Sequence, residues 1–317
     1  MNICGFNFFL GEKGNRVENQ LNRIKEILEI NKKNKFEINK NLSNILEDNT
    51  FDIYVTCGDV KISFSKEMID IYSKIASSKK PRLVRDVTYL RIIPKLTNME
   101  VNNFPRFTWN SILPNNINFP YDSHYDRWSE LKKKYDLKVE DYKKQGENIL
   151  FLLQIPTDAS LNELNFKKDG YLNFMIRTID EIFKYSDRKI ILRSHPLNKN
   201  NDVISNFLLK YYYKSGRVLL SNNEKLEKDF ENVKCVISYN SSATVEALFS
   251  GIRVINLSQS QPCFSAASNK LSDIECLSDL DRNEFLNKIA FLHWENNELE
   301  SIENKKYLCT LLEKSVP

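Results

Sequence analysis

CVISYNSSATVEALFSGIRVINL, residues Cys235–Leu257, holds the pattern that decides the fold. The apolar run CVIS leads into three small polar residues, Asn240, Ser241 and Ser242. A helical stretch follows, Gly251 closes it, and a second apolar run, RVINL, begins at once. Strand, helix and strand in so short a span make a βαβ unit, with parallel strands and the helix crossing over one face. This unit also raises a question of chemistry. In a chain with only eight glycines, small hydroxyl and amide side chains stand where the strand feeds the helix. There the first backbone N–H groups of the helix have no partner within it.

The same alternation extends outward from this unit. Strands are expected over NILFLLQIP, KIILRSHP and RVLLSN, and helices over GYLNFMIRTIDEIFKYS, VISNFLLKYYYKSG and KLEKDFENV. In the first half, NICGFNFF, FDIYVTCG and PRLVRDV read as strands. VENQLNRIKEILEINKK and SKEMIDIYSKIASSKK read as helices, the second opened by a Ser N-cap. Between Pro94 and Pro120 the pattern weakens. DRWSELKKKYDLKVEDYKKQGE then reads as a polar helix closed by Gly146, and the chain is helical again from Asp281. Strands alternating with helices predict an α/β fold of two Rossmann-like, doubly wound domains facing across a cleft. The expected division is 1–146, 147–290 and a C-terminal helical segment, 291–317, packing back on the first domain.

Composition narrows the class. With 317 residues, 41% of them hydrophobic and 28% charged, the chain is long enough for two globular domains. No run of eighteen apolar residues occurs, and the start, MNICGFNFFLGEKGNR, lacks the basic head and apolar stretch of a signal peptide. Six scattered cysteines without a C-x-x-C pair predict a reduced, cytoplasmic protein without a zinc site. A net charge of +4 predicts no nucleic-acid partner. The lysine-rich pieces NKKNKFEINK and LKKKYDLK read as solvated faces, which would also suit an anionic membrane surface. The absence of G-x-G-x-x-G, a P-loop and H-E-x-x-H argues against dinucleotide oxidoreductases, ATPases and zinc peptidases.

The polar residues that draw attention all sit at the carboxyl ends of expected strands, where open α/β sheets bind ligands. His195, before Pro196, can donate to a phosphate oxygen; its plain reading is a surface histidine at a turn. Arg193 shares a strand face with it, being two residues away. Ser241 and Ser242 lie at a helix start that favours an anion, although Asn240 or Ser241 could simply cap the helix. Glu246, one turn on, could accept ribose hydroxyls or be an exposed carboxylate. Asp158, in LLQIPTDAS with Gln154, could attack a sugar carbon or serve as a turn residue. Asp86, flanked by Arg85 and Arg91, could deprotonate an acceptor hydroxyl or be ion-paired. Two D-x-D-like clusters, Asp122–His124–Asp126 and Asp279–Asp281, precede expected helices and read as structural.

In chain order, RDVTYLR, RW, LLQIPTDAS, SHP, YNSSATVEALFSGIRVI and FLHWENNELESI resemble the bacterial retaining β-Kdo glycosyltransferases of capsule and O-antigen assembly, from about residue 82 to about residue 300. The resemblance implies the GT-B fold, CMP-Kdo as donor and no metal or other cofactor. It implies Asp158 as the nucleophile that forms a covalent Kdo adduct. His195, Ser241 and Ser242, with Asn240, would hold the CMP phosphate, and Glu246 would meet the ribose. Arg91 matches the closing arginine of a segment that usually begins with Glu; here it begins with Asp86 and lacks the family's glycine. Arg91, Arg193 and Gln154 are expected to contact donor or acceptor. The implied partners are a CMP-sugar and a glycan or glycolipid acceptor, reached at the inner face of the cytoplasmic membrane or beside other polysaccharide-assembly enzymes. Three alternatives share some of these motifs: an inverting sialyltransferase-like enzyme, a glycerophosphotransferase of wall polymers and a non-catalytic assembly subunit.

Overall fold

The computed structural model describes every residue except 8–10, 40–49, 58–69, 71–72, 76–77, 112–118, 144, 157, 159, 162–169, 199–202 and 259–262. The chain forms two compact units. The first comprises residues 1–89, 93–127 and 288–317, and the second comprises 90–92 and 128–287.

In the first unit the elements run β1 (Asn2–Phe6), α1 (Gly11–Leu28), β2 (Lys35–Asn39), β3 (Ile53–Cys57) and β4 (Arg82–Val87). A short helix, α2 (Ile92–Thr97), and β5 (Pro105–Trp109) follow. The sheet order is β2-β1-β3-β4-β5, parallel except for β5, which pairs antiparallel with β4. Two of these strands depart from the sequence expectation. KFEIN, read as part of a solvated lysine-rich face, is β2. It is an edge strand anchored by Phe36, which is 3% exposed. Gly5 on β1 makes room for it, since a Cβ there would meet the Phe36 ring at 2.8 Å. PRFTW lies where the sequence pattern weakens, because all five of its residues are buried, which removes the alternation of a half-exposed strand. Its proline stands at the first position, where a missing N–H is tolerated. The helix expected over Ser65–Lys80 lies largely outside the described residues.

The second unit follows the α/β pattern more closely. After α3 (Arg127–Tyr135) come β6 (Asn148–Leu152), α4 (Gly170–Tyr185), β7 (Lys189–Arg193), α5 (Val203–Tyr211) and β8 (Val218–Leu220). Then come α6 (Leu226–Asp229), β9 (Val233–Ser238), α7 (Ala243–Phe249) and β10 (Arg253–Asn256). The sheet order β10-β9-β6-β7-β8 is parallel throughout. Met175, Ile179 and Ile182 of α4, spaced to share one helix face, are 0–1% exposed and join Ile149, Phe151, Ile190 and Leu192 in the core. Each such side chain contributes about 1.5–3 kcal/mol on burial. The polar helix expected to run on to Gly146 stops at Tyr135. Asp136 takes a left-handed φ of 48°, and the Leu137 N–H returns to the Lys132 carbonyl at 3.0 Å, a Schellman closure. The chain then runs beside α7, with the Glu140 N–H on Phe249 O and the Lys143 N–H on Gly251 O, both at 2.8 Å.

The second unit ends at Asn287, within α8 (Asn283–Ala290), and α9 (Ile302–Lys314) packs on α1 in the first. Lys305 pairs with Glu26 at 2.7 Å, and Glu313 accepts from Asn31 and Asn34 at 2.8 Å. Two of the quoted motifs meet here. Arg127 of RW forms a two-pronged pair with Glu298 of FLHWENNELESI at 2.7 and 2.9 Å. It also donates to the Ala290 and His293 carbonyls and stacks 3.9 Å over the Trp294 ring. With four hydrogen bonds made inside the first unit, Arg127 fastens the returning chain there. Among the described residues no helix is long and apolar enough to cross a membrane.

Candidate functional site

Three neighbouring strands bring the polar residues of the second unit to one edge of its sheet. β6 lies between β9 and β7, and the chain winds from β6 to one side through β7 and β8, then to the other through β9 and β10. The crevice beyond β6 and β9 is thus the topological switch point, the place where such sheets bind ligands. Phe151 faces Ile237 and Leu152 faces Arg193, so the strand ends lie in register. Gln154, His195 and Asn240 each follow the last residue of their strand by two positions.

Gln154 and Asn240 bridge the crevice. The Gln154 Nε2 donates to Asn240 Oδ1 at 2.6 Å, and the Asn240 N–H donates back to Gln154 Oε1 at 3.3 Å. Both are buried, at 8% and 3% exposure. Ser160, which the sequence reading passed over, completes the lattice. Its carbonyl accepts from Asn240 Nδ2 at 2.6 Å and its hydroxyl from Gln154 Nε2 at 3.2 Å. The Tyr171 hydroxyl accepts the Gln154 N–H at 2.7 Å. The loop carrying Asp158 is therefore tied to the loop carrying Ser241. Within it, Asp158 is half-buried and its Oδ1 accepts the Ser160 N–H at 2.9 Å, as the plain turn reading expects.

At the serine turn, donors are partly consumed by the turn itself. The Ser241 N–H binds Ser238 Oγ at 3.1 Å, and Ser241 Oγ accepts the Ala243 N–H at 3.3 Å. The Thr244 and Val245 N–H groups go to the carbonyls of Ser241 and Ser242. Among the described residues, the Ser242 N–H and the hydroxyl protons of Ser241 and Ser242 have no partner. Asn240 does not cap the helix: its side chain belongs to the Gln154 lattice. Glu246, half-buried, follows within α7.

His195 has a defined tautomer. Its Nδ1 accepts the Leu197 N–H at 3.2 Å, so the neutral ring carries its proton on Nε2, a donor. Burial holds its pKa below the ordinary imidazole value, opposed by the Asp158 carboxylate and assisted by the Arg91 guanidinium. Asp158 and Arg91 thus both act on this ring, and Arg91, distant in sequence, counts with the second unit.

Two of the expected residues have other partners. Arg193 pairs closely with the buried Asp229 and donates to the carbonyls of Asn223 and Glu224 at 3.1 Å. The structure thus commits its guanidinium to the β8–α6 loop, because a long side chain at a strand end can leave the line of its neighbours. Asp86, in the first unit, faces Arg106 across β4 and β5 and pairs with it at 2.9 Å. Arg106 is 3% exposed, donates to the Val87 carbonyl and stacks 4.2 Å over Tyr89. It was absent from the sequence reading because β5 was not recognised. Of the D-x-D-like residues, Asp281 Oδ1 accepts the Asn283 N–H at the start of α8, and Asp279 pairs with Arg253. Asp122 accepts the His124 N–H at 2.9 Å and the Tyr307 hydroxyl at 3.2 Å.

Comparison with known proteins adds two kinds of likeness. Over nearly its whole length the chain is similar to two solved structures of KpsC from Thermosulfurimonas dismutans. For the β-Kdo 2,7 transferase, identity is 13% and the TM-score 0.47, with 97% of this chain and 99% of that one covered. For the β-Kdo 2,4 transferase, identity is 11% and the TM-score 0.42, with coverage of 91% and 89%. MurG of Acinetobacter baumannii is a more distant likeness, at 10% identity, a TM-score of 0.32 and 99% coverage of both chains. No curated protein matches the sequence. Residues 122–266, the stretch that carries Gln154, Asp158, His195, Asn240, Ser241, Ser242 and Glu246, match the capsule polysaccharide biosynthesis protein family.

Proposed function

We propose that this protein is a cytoplasmic glycosyltransferase of capsule polysaccharide synthesis, and that it moves Kdo from CMP-Kdo to a saccharide acceptor with retention of configuration. The observation that carries the reading is the convergence of Asp158 and His195 at one sheet edge, with the Asp158 loop tied to the Ser241–Ser242 turn. The family match over residues 122–266 supports the pathway.

In this reading the CMP phosphate lies against the Nε2–H of His195, the free N–H of Ser242 and the hydroxyls of Ser241 and Ser242. Glu246 receives the ribose. Asp158 attacks the anomeric carbon as its bond to the phosphate oxygen breaks, and that oxygen keeps the electron pair. Donors already in place meet the new charge without having to reorganise, which is the usual source of such stabilisation, and no step is assigned to a metal. The acceptor hydroxyl then displaces Asp158 from the same carbon. Two inversions give retention. Asp86 is the carboxylate assigned to the acceptor proton, with Arg106 fixing its orientation.

A donor panel tests this. CMP-Kdo, CMP-sialic acid and CDP-glycerol are compared by nucleotide release, with intact mass read on the wild type and on Asp158→Asn. Release from CMP-Kdo, and an adduct that Asp158→Asn does not form, is the expected result. Release only from CMP-sialic acid, without an adduct, would favour an inverting enzyme. Turnover of CDP-glycerol, or of none of the three, would remove the proposal.

A further inference from the structure

The first unit contains a cavity that the reading above does not use. Its volume is about 650 Å³, in the range of small-molecule sites. The polar side of α1 contributes Asn15, Arg16, Asn19 and Arg23 at helical spacing. The rest of the lining includes Arg85 of β4, Phe107 of β5, Asn102 and the C-terminal Asn296 and Lys305.

Arg85 gives this cavity its chemistry. It is 6% exposed, and among the described residues its guanidinium makes one hydrogen bond, to the Asn102 carbonyl at 2.8 Å. It forms no ion pair among the described residues. Asp86 is held by Arg106, and adjacent strand residues point to opposite faces. Cys57 faces Arg85 across β3 and β4, but burial pushes its thiol up to about 12, so it supplies no negative charge at neutral pH. Burial also lowers the pKa of Arg85, with the Arg106 and Arg23 guanidiniums adding to it and Asp86 opposing it, yet an arginine stays charged. Such a group is costly unless an anion meets it.

The remaining charges leave room for an anion. Of the acids that line the cavity, Glu26 is already paired with Lys305, while Glu12 and Glu300 are exposed. Arg16 and Arg23 form no ion pair among the described residues. Guanidinium forks match a carboxylate in two-pronged geometry, and asparagine amides both donate to and accept from hydroxyls.

We propose that this cavity binds an acidic sugar of one or two rings, with its carboxylate on Arg85 and Arg23 and its hydroxyls on the asparagine amides. The proposal concerns the first unit alone and does not depend on the CMP-sugar reading of the second. It is tested by titrating the full chain calorimetrically with D-glucuronate, D-glucose and inorganic phosphate. Glucuronate is expected to bind, and glucose and phosphate at least tenfold more weakly. Arg23→Ala should weaken glucuronate binding several-fold and Arg85→Gln at least tenfold, while His195→Ala leaves it unchanged. If Arg85→Gln does not fold, the double variant Arg16→Ala/Arg23→Ala should lose at least tenfold. Equal binding of glucose or phosphate would overturn the assignment, as would arginine variants that bind glucuronate like the wild type.

Discussion

Gln154 and Asn240, 86 residues apart, exchange two hydrogen bonds across the crevice between β6 and β9, and Ser160 joins them. This lattice ties together two loops that carry different chemistry. Asp158 lies on one and the paired serines on the other.

Replacing Gln154 by Leu keeps the volume roughly constant but leaves the Asn240 amide without that partner in a buried site. An unsatisfied buried polar group costs about 1–3 kcal/mol, so the urea midpoint should fall accordingly. Nucleotide affinity should fall as well, because the serine turn is no longer tied to the Asp158 loop. An unchanged midpoint would show that the lattice contributes no stability.

His195 titrates below its ordinary value near 6.5, chiefly through burial. Its folded form therefore binds fewer protons than the unfolded chain in the window between the folded midpoint and about 6.5. The stability it contributes is present above that window and is lost as pH falls through the folded midpoint. Proton NMR of the imidazole should place the midpoint below the ordinary value. Asp158→Asn should lower it further, since the carboxylate raises it. A midpoint indifferent to Asp158→Asn would separate the two residues and remove the basis of the site.

Asp86→Asn breaks the cross-strand pair with Arg106, which is 3% exposed against 30% for the Asp86 side chain. Loss of one partner of a fully buried pair costs about 3–5 kcal/mol; with Asp86 partly solvated, a loss of about 1–3 kcal/mol is expected. If Asp86 takes the acceptor proton, the variant should also accumulate the sugar adduct on Asp158, visible as an added mass. A destabilised variant that transfers sugar at the wild-type rate would limit Asp86 to its pairing with Arg106.

Gly251→Ala should be severely destabilising. Gly251 holds a left-handed φ of 69° and closes α7 in a Schellman motif, with Ile252 N–H on Ala247 O at 2.9 Å. A Cβ would meet the Asp141 carbonyl oxygen at 2.0 Å. The backbone conformation alone costs about 1–2 kcal/mol for an L-residue, and the clash adds to it. Thermal unfolding measures the sum.

The fold of the second unit was legible because β6, β7 and β9 are central parallel strands. Strands buried on both faces appear as unbroken runs of Val, Ile and Leu, and the polar residues that interrupt those runs mark the strand ends. The first unit was less legible at β2 and β5. β2 is a short edge strand with one strong anchor, Phe36, and β5 is antiparallel and fully buried, so neither shows the expected periodicity.

Local order by itself determined that Gln154, His195 and Asn240 stand just beyond strands, because strand period and the residues that break it are properties of neighbouring positions. Only the tertiary structure decided which of these residues meet. The sheet order sets β6 between β9 and β7, which joins Gln154 to Asn240. The same long-range packing gives Arg193 to Asp229, Asp86 to Arg106 and Arg127 to Glu298, and leaves Arg85 buried without an ion pair among the described residues. Such pairings join residues far apart in the chain, and a charged side chain takes its partner from whatever the fold brings within reach.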